Sequence, residues 1–256
     1  MEGLKVHSKI CLINRRKGRP IAIVGTGNFH EGNAAVYTDY FMMTSNKKIT
    51  EDVAKVFDII KKPYDQQNFG SLLVPPFNMR EKFYELIDNE IAEARAGREA
   101  WIKIKINHVT DREMVERLYK ASQAGVKIDM VVRGNCSLVT GVKGVSDNIR
   151  VAGIIDRYLE HSRIFIFNAC GDKATYMGSA DWMPRNLDRR IEVVTKVYDS
   201  RLKEDLERTV DYGLRDNVQA RIVDGSGENR IRVDANGDRG VFRSQEQLYN
   251  AYKNNI

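Results

Sequence analysis

Two histidines in this chain are each followed, two residues later, by a cation: His7 by Lys9 and His161 by Arg163. A neutral imidazole, with an ordinary pKa of about 6.5, is a competent nucleophile at neutral pH. A fixed ammonium or guanidinium beside it holds the oxygens of a phosphoryl group and spreads their charge. The carboxylates Asp39 and Glu192 stand at matched places downstream and are able to fix the tautomer of a histidine through its other ring nitrogen. The turns Gly25-Thr26-Gly27-Asn28 and Gly178-Ser179-Ala180-Asp181 can bring backbone donors, or the side chain of Asn28 or Asp181, against the same group. Together these residue types are equipment for handling phosphate.

The pattern occurs twice because the chain repeats itself. HSKICLIN at 7–14 returns as HSRIFIFN at 161–168, with Asn33 and Asn186 five residues past Asn28 and Asp181, and the carboxylates eleven past them. A lone His-x-Lys on a strand is most often surface decoration, and Gly-Thr-Gly-Asn alone is most often a turn. Repeated scaffold accounts for repeated Ile and Leu, but not for repeated His. His30 and His108 lack this company and read as a loop residue and a strand end. Tyr37 shares a strand face with Asp39, where an aromatic ring can stack a base. Arg133 ends a buried parallel strand, where ligands of open α/β sheets gather, and reads as a phosphate contact.

Composition sets the bounds. The chain has 256 residues, 42% apolar and 30% charged, as expected of a globular protein with proper cores. No apolar run approaches the roughly 18 residues of a membrane span, and no secretory leader is visible. The three scattered cysteines, Cys11, Cys136 and Cys170, have no metal-ligand spacing and fit a reducing, cytoplasmic setting. A net charge of +6 suits a polyanionic partner but is also ordinary for this size.

The elements that must position these residues follow from the pattern. Residues 4–14 alternate as a strand and lead into a basic turn with Arg15, Arg16, Lys17 and Arg19; 21–26 and 37–44 are further strands. Thr50 is expected to cap a helix running to Lys62, where Pro63 stops it, and 63–76 reads as a linker. Asn78 and Glu81 form a capping signature for a helix through Arg95, closed by Gly97. A strand at 101–109, a helix from Asp111 to Gly125 and a buried strand at 126–134 make a β-α-β passage with parallel pairing. Strands near 163–168, 173–178 and 190–197 carry the second copy. A helix at 200–214, a short strand at 218–223, a Gly/Asp/Arg-rich loop and a helix at 244–253 complete it. The fold class expected is α/β with mixed sheets, in two units at 1–70 and 71–256. So little precedes His7, compared with His161, that the first unit is expected to be N-terminally truncated.

The pattern His-x-Lys, four residues, Asp, then Gly-Ser-x-Asn resembles the phospholipase D superfamily, whose two copies meet at one active site. Both octets carry Asn (Asn14, Asn168) where that pattern has Asp, and the second carries Arg163 for Lys; these departures are read as counting against a standard phosphodiesterase. The segments LKVHSKICLI, GTGNFHEGNAAVYTDY, VVRGNCSLVTGVKGVSDNIR, DRYLEHSRIFIF and GSADWMPRNLDRRIEV resemble the C-terminal region of the bacterial polyphosphate kinase family, the type with two phospholipase-D-like domains. The resemblance runs from residue 4 almost to the end of the chain. It implies reversible transfer of the terminal phosphate of ATP to inorganic polyphosphate through a phosphohistidine, with ADP as product. It further implies His7 as the phosphorylated residue, His161 as the second essential histidine, and Tyr37 and Arg133 as nucleotide and phosphate contacts. Lys9, Asn28 and Arg163 join them at the phosphate, with Asp39, Glu192 and Asp181 behind. Mg²⁺ is expected to accompany ATP, its protein ligands lying upstream and none within this chain. The full-length protein is expected to be a cytoplasmic homo-oligomer, able to associate peripherally with the membrane, with no specific nucleic acid. A polyphosphate path has two candidates, Arg15/Arg16/Lys17/Arg19 and Arg185/Arg189/Arg190. The rival readings are a phospholipase-D-like phosphodiesterase or nuclease and an inactive polyanion-binding module.

Overall fold

A computed structural model describes residues 5–62, 67–231 and 240–253. The first unit contains β1 (Lys5–Val6), β2 (Ile10–Ile13), β3 (Ile21–Gly25), α1 (Glu31–Val36), β4 (Tyr37–Thr38), β5 (Phe41–Thr44) and α2 (Lys47–Lys61). There follow β6 (Leu72–Leu73), α3 (Met79–Arg95), β7 (Trp101–Ile106), α4 (Arg112–Gln123), β8 (Lys127–Val132), β9 (Ile149–Ile154), β10 (Leu159–Glu160) and β11 (Arg163–Phe167). β12 (Ala174–Gly178), α5 (Pro184–Asp188), β13 (Arg190–Ile191), β14 (Val194–Val197), α6 (Ser200–Arg215), β15 (Ala220–Ile222) and α7 (Ser244–Lys253) complete the order. The α/β class with mixed sheets is what the sequence leads one to expect.

An eight-stranded sheet runs β15-β9-β8-β7-β11-β12-β14-β6, parallel across β7, β8 and β9 and antiparallel elsewhere. A smaller antiparallel sheet, β2-β3-β5, belongs to the first unit. One core lies beneath α3 and α4, where Phe83, Phe165 and Trp182 pack ring to ring. A second is shared. Ala22, Val24, Ile49 and Val53 of the first unit meet Ile164, Ile166, Met177 and Val193 of the second. Both faces of β11 are therefore buried, and all five of its residues are inaccessible.

Local differences from the sequence reading have definite causes. α2 starts at Lys47, because the Asn46 carboxamide accepts from Lys48 N at 3.0 Å; Thr50 lies inside the helix and its hydroxyl donates to Lys47 O. Such a cap is worth about 1 kcal/mol, and the extra turn buries Ile49, worth about 1.5–3 kcal/mol more. Pro63 lies outside the described residues. Asn78 precedes α3 but makes no cap bond there. Its side chain turns back to accept from Val74 N and donate to Leu72 O, serving a corner where Pro75 and Pro76 supply no donors. The end of the expected linker is not linker, since Leu72–Leu73 forms the edge of the large sheet. β9 and β10 have no counterpart in the sequence pattern.

The expected continuous strands at 4–14, 37–44 and 190–197 are each broken. β1 pairs with β13 and β2 with β3; β4 pairs with β10 and β5 with β3; β13 and β14 likewise part company. Every break falls on a residue singled out for its chemistry.

Candidate active site

His7, Asp39, His161 and Glu192 each sit where a strand leaves one partner and joins another. β1 lies parallel to β13 with Val6 opposite Ile191, so the next residues, His7 and Glu192, meet. β4 lies parallel to β10 with Thr38 opposite Glu160, so Asp39 and His161 meet. Nδ1 of His7 is 2.9 Å from the Glu192 carboxylate, and Nδ1 of His161 is 2.8 Å from that of Asp39. Each histidine is held by the carboxylate of the other copy. With Nδ1–H donating to a carboxylate, the ring's free lone pair is on Nε2.

The carboxylates are fixed from behind by their own copy. Thr26 Oγ1 donates to Asp39 at 2.6 Å, and at the matched place Ser179 Oγ donates to Glu192 at 2.6 Å. Asn186 adds a third bond to Glu192 at 2.6 Å, whereas the matched Asn33 is only half-buried. The Gly-rich turns are needed for close approach. A Cβ on Gly27 would stand 1.8 Å from Asp39 Oδ2, and one on Gly178 would stand 2.1 Å from Val193 O. Burial alone would raise the pKa of Asp39, but hydrogen bonds from His161 and Thr26 hold it below the ordinary value. Burial pushes His161 down, Arg163 and Arg133 add to this, and Asp39 opposes it. The pair at neutral pH is therefore a neutral imidazole on an ionised carboxylate.

The cations obey the same symmetry. The Lys9 ammonium donates to His7 O, and Arg163 Nη1 donates to His161 O at 2.7 Å. Lys9 is buried, and burial brings its pKa down to about 8, with Arg163 and Arg190 adding to the depression and Glu192 and Asp39 opposing it. Those four charges come from both copies, which therefore share one electrostatic site. Arg163 commits three further donors, one to Thr26 O and two to Asp181, each at 3.2 Å, so its charge more than its N–H groups serves the site. Asp181 also accepts from Asn107 N at 3.0 Å and stands behind the site, while Asn28 is exposed. The matched positions 28 and 181 have diverged in use.

Tyr37 lies over His161, ring centroids 4.9 Å apart and planes inclined at 53°. Tyr37 and Arg133 line one cavity of about 380 Å³ with Val36, Ile155 and Tyr158, within the size range of small-molecule sites. Among the described residues the Arg133 guanidinium makes one long contact, 3.4 Å, to the Asn107 carboxamide. Of the basic clusters, Arg190 approaches Glu192 to 3.9 Å and precedes it in β13. Arg15, Arg16, Lys17 and Arg19 form an exposed turn at the far end of β2, away from His7. His30 caps α1 in exposed surroundings. His108 accepts from Asn135 N and has its pKa lowered by burial, with Arg133, Arg163 and Arg185 contributing; its sequence context carries no sign of this.

One of the two Asn-for-Asp departures lies away from the reacting groups. Asn168 is buried at the far end of β11, where its carboxamide donates to Glu99 O at 2.6 Å. It stands seven positions after His161, roughly 20 Å along a strand. Asn168 ties down a loop and does not touch the reacting groups, so it does not weigh against a phosphodiesterase.

Comparison with known proteins gives a consistent result. Residues 1–66 match the family model described as polyphosphate kinase C-terminal domain 1, and residues 72–245 that described as C-terminal domain 2. A polyphosphate kinase of Vibrio parahaemolyticus serotype O3:K6 (strain RIMD 2210633) is 47% identical over 255 residues, 98% of this chain and 36% of the relative. That of Escherichia coli (strain K12) is 44% identical over 254 residues, 98% of this chain and 37% of the relative. The crystal structure of polyphosphate kinase from Porphyromonas gingivalis superposes with a TM-score of 0.92 at 38% identity, covering 100% of this chain and 40% of that one. The chain thus spans little more than a third of the length of the relatives it matches.

Proposed function

The chain belongs to the polyphosphate kinase family, and from that premise we propose that its crossed histidine–carboxylate pairs carry reversible phosphoryl transfer between ATP and inorganic polyphosphate. Nε2 of His7 attacks the terminal phosphorus of ATP. The bond from that phosphorus to the bridging oxygen breaks, and ADP leaves with the electron pair. A terminal oxygen of polyphosphate then attacks the phosphohistidine, the P–N bond breaks, and His7 is regenerated with the chain one phosphate longer. Lys9, Arg163, Arg190 and Arg133 offset the charge on the transferring group. His161, on Asp39, faces the same centre and exchanges protons with the phosphate oxygens. Tyr37 and Arg133 hold the nucleotide in the cavity they share.

The observation that carries this reading is the crossing itself. Two imidazoles have Nδ1 on a carboxylate and, among the described residues, no partner on Nε2, and cations are bonded to both of their backbone carbonyls. The assignment of roles is supported by exposure: 30% of the His7 side chain is accessible against 13% for His161, which lies under Tyr37. Magnesium we assign to the nucleotide substrate; among the described residues no group of three His, Cys, Asp or Glu is placed to hold a metal ion. We place the protein in the cytoplasm on its three scattered cysteines; separately, no described helix is long and apolar enough to cross a membrane.

Phosphate mapping tests the proposal. This chain, and a full-length relative in parallel, are incubated with ATP and Mg²⁺, and acid-labile phosphate is located by mass spectrometry. It is expected at His7 and at its equivalent. Phosphate on His161 with His7 unmodified reverses the roles. Cleavage of a phosphodiester without ATP, and no phosphohistidine, replaces the reading with a phosphodiesterase.

A further inference from the structure

The helix α7 reaches the neighbours of one catalytic pair and leaves the other alone. At its start the buried Gln245 accepts from Tyr158 N at 2.9 Å and donates to Tyr158 O at 2.8 Å and to Glu160 at 2.7 Å. Glu160 immediately precedes His161. Lys105 holds it from the opposite side at 2.6 Å and also donates to Ser162, the residue after His161, at 2.7 Å. Near the other end of α7 the Tyr252 hydroxyl meets that of Tyr40, the residue after Asp39, at 2.6 Å, and donates to Asp205 at 3.0 Å. Arg243, just before the helix, pairs with Asp156 in the loop that leads to β10. Among the described residues, no hydrogen bond from α7 reaches the segments flanking His7 or Glu192.

We infer that α7 is a clamp that sets the register of β4 against β10, and so the His161–Asp39 pair, with Gln245 and Tyr252 as its positioning residues. The pairing it supports is only two residues long on each side. Thr38 Oγ1 adds long bonds to Leu159 O, Glu160 and His161 N at 3.2–3.3 Å, but with bonds worth about 1 kcal/mol each a parallel pair of that length needs further support to hold its register. The buried residues of α7 are Ser244 and Gln245, both polar. Leu248, Ala251 and Tyr252 are half-buried, so apolar packing is only part of what seats this helix. All three bonds of the Gln245 carboxamide go to a three-residue segment, and a slip of one residue there would turn His161 away from Asp39.

The clamp rests on the reading of His161 as a working residue, but its test does not need turnover. In ¹⁵N-histidine spectra of the full chain, with signals assigned through His7→Gln and His161→Gln, His161 is expected in the Nδ1–H tautomer fixed by Asp39. Tyr252→Phe and Gln245→Leu should shift His161 toward the Nε2–H form that free imidazole prefers, leaving His7 unchanged. In a full-length relative, the equivalent changes should lower transfer by about 10–100-fold, the usual cost of losing a histidine's outer support. If Gln245→Leu does not fold, Tyr252→Phe, which removes one oxygen atom, decides the matter. His161 unaltered in a folded variant, or both histidines shifting together, overturns the clamp. Loss of transfer with no change at His161 would overturn it as well. Normal tautomers at both histidines of the parent chain, with no phosphate ever found on either, would instead count against the proposed activity.

Discussion

His7 and Glu192 are 2.9 Å apart in space and 185 positions apart in the chain, and they come from different copies of the repeat. The matching distance from His161 to Asp39 is 2.8 Å, so neither copy holds a complete histidine–carboxylate pair of its own. Chemistry at one imidazole is therefore controlled by the sequence of the other copy.

Glu192→Gln tests that control. Ser179 donates to one oxygen of this carboxylate and Asn186 to the other, and both oxygens lie 2.9 Å from His7 Nδ1, so an amide nitrogen at either place is turned on His7. Nδ1 then becomes the acceptor and the ring proton moves to Nε2, which blocks attack. Phosphorylation of His7 is expected to slow by about 10⁴-fold, the size of loss seen when a triad carboxylate becomes an amide. The rate of label incorporation from ATP measures this; an undiminished rate refutes the crossing as a working feature.

Lys9 sets a pH limit. Its pKa of about 8, brought down by burial, means that the cation is lost as the pH rises through that value. Phosphate capture should fall accordingly, and Lys9→Arg, which stays charged, should abolish the decline. The stability effect has the opposite slope. From about 8 to the ordinary 10.5 the unfolded chain binds more protons at this residue, so its contribution to stability rises with pH. Calorimetry against pH, compared with Lys9→Met, measures the second effect and transfer assays the first.

The two basic clusters should separate cleanly. Arg190→Glu, beside Glu192 and the site, is expected to weaken polyphosphate binding. Its log–log salt dependence should become shallower by about one unit, since one fewer phosphate is neutralised. Arg16→Glu, in the exposed turn at the far end of β2, should change neither. Titrations at several salt concentrations give both quantities. Equal weakening in both variants would mean that polyphosphate follows a path across the whole small sheet.

Gly27→Ala should damage the His161 side alone. The added methyl would stand 1.8 Å from Asp39 Oδ2, so the carboxylate must move away from Thr26 and His161. Transfer should fall while His7 keeps its Glu192 bond, and the melting temperature should drop because Asp39 loses a buried hydroxyl donor, about 1 kcal/mol or more. A variant with full activity would mean that Asp39 is dispensable.

Much of this site is legible in the residue types. The repeat identifies His7, His161, Asp39 and Glu192, and the alternation locates β2, β3, β7, β11 and β12. The crossing is not legible, because spacing records distance along one copy and says nothing of which copy a side chain will meet. The strand breaks are hidden for a related reason. Residues 4–14 and 37–44 read as extended throughout, and only the pairing partners change, at His7–Lys9 and Asp39–Tyr40. Thr26 and Ser179 are visible as matched hydroxyls inside the Gly-rich turns, a signal able to assign them to the carboxylates. Lys105, Gln245 and Tyr252 carry none, since their roles arise from contacts between distant segments.

The exchange of carboxylates has a consequence for descent. Two identical single-copy chains related by a twofold axis would make the same swapped contacts, each lending its acid to its neighbour's imidazole. A symmetric pair can alter a residue only on both sides at once. Linked in one polypeptide, the halves are released from that constraint, and this chain has used the freedom: Arg163 answers Lys9, Glu192 answers Asp39, Ala180 answers Gly27, and Tyr37 covers only one of the two histidines.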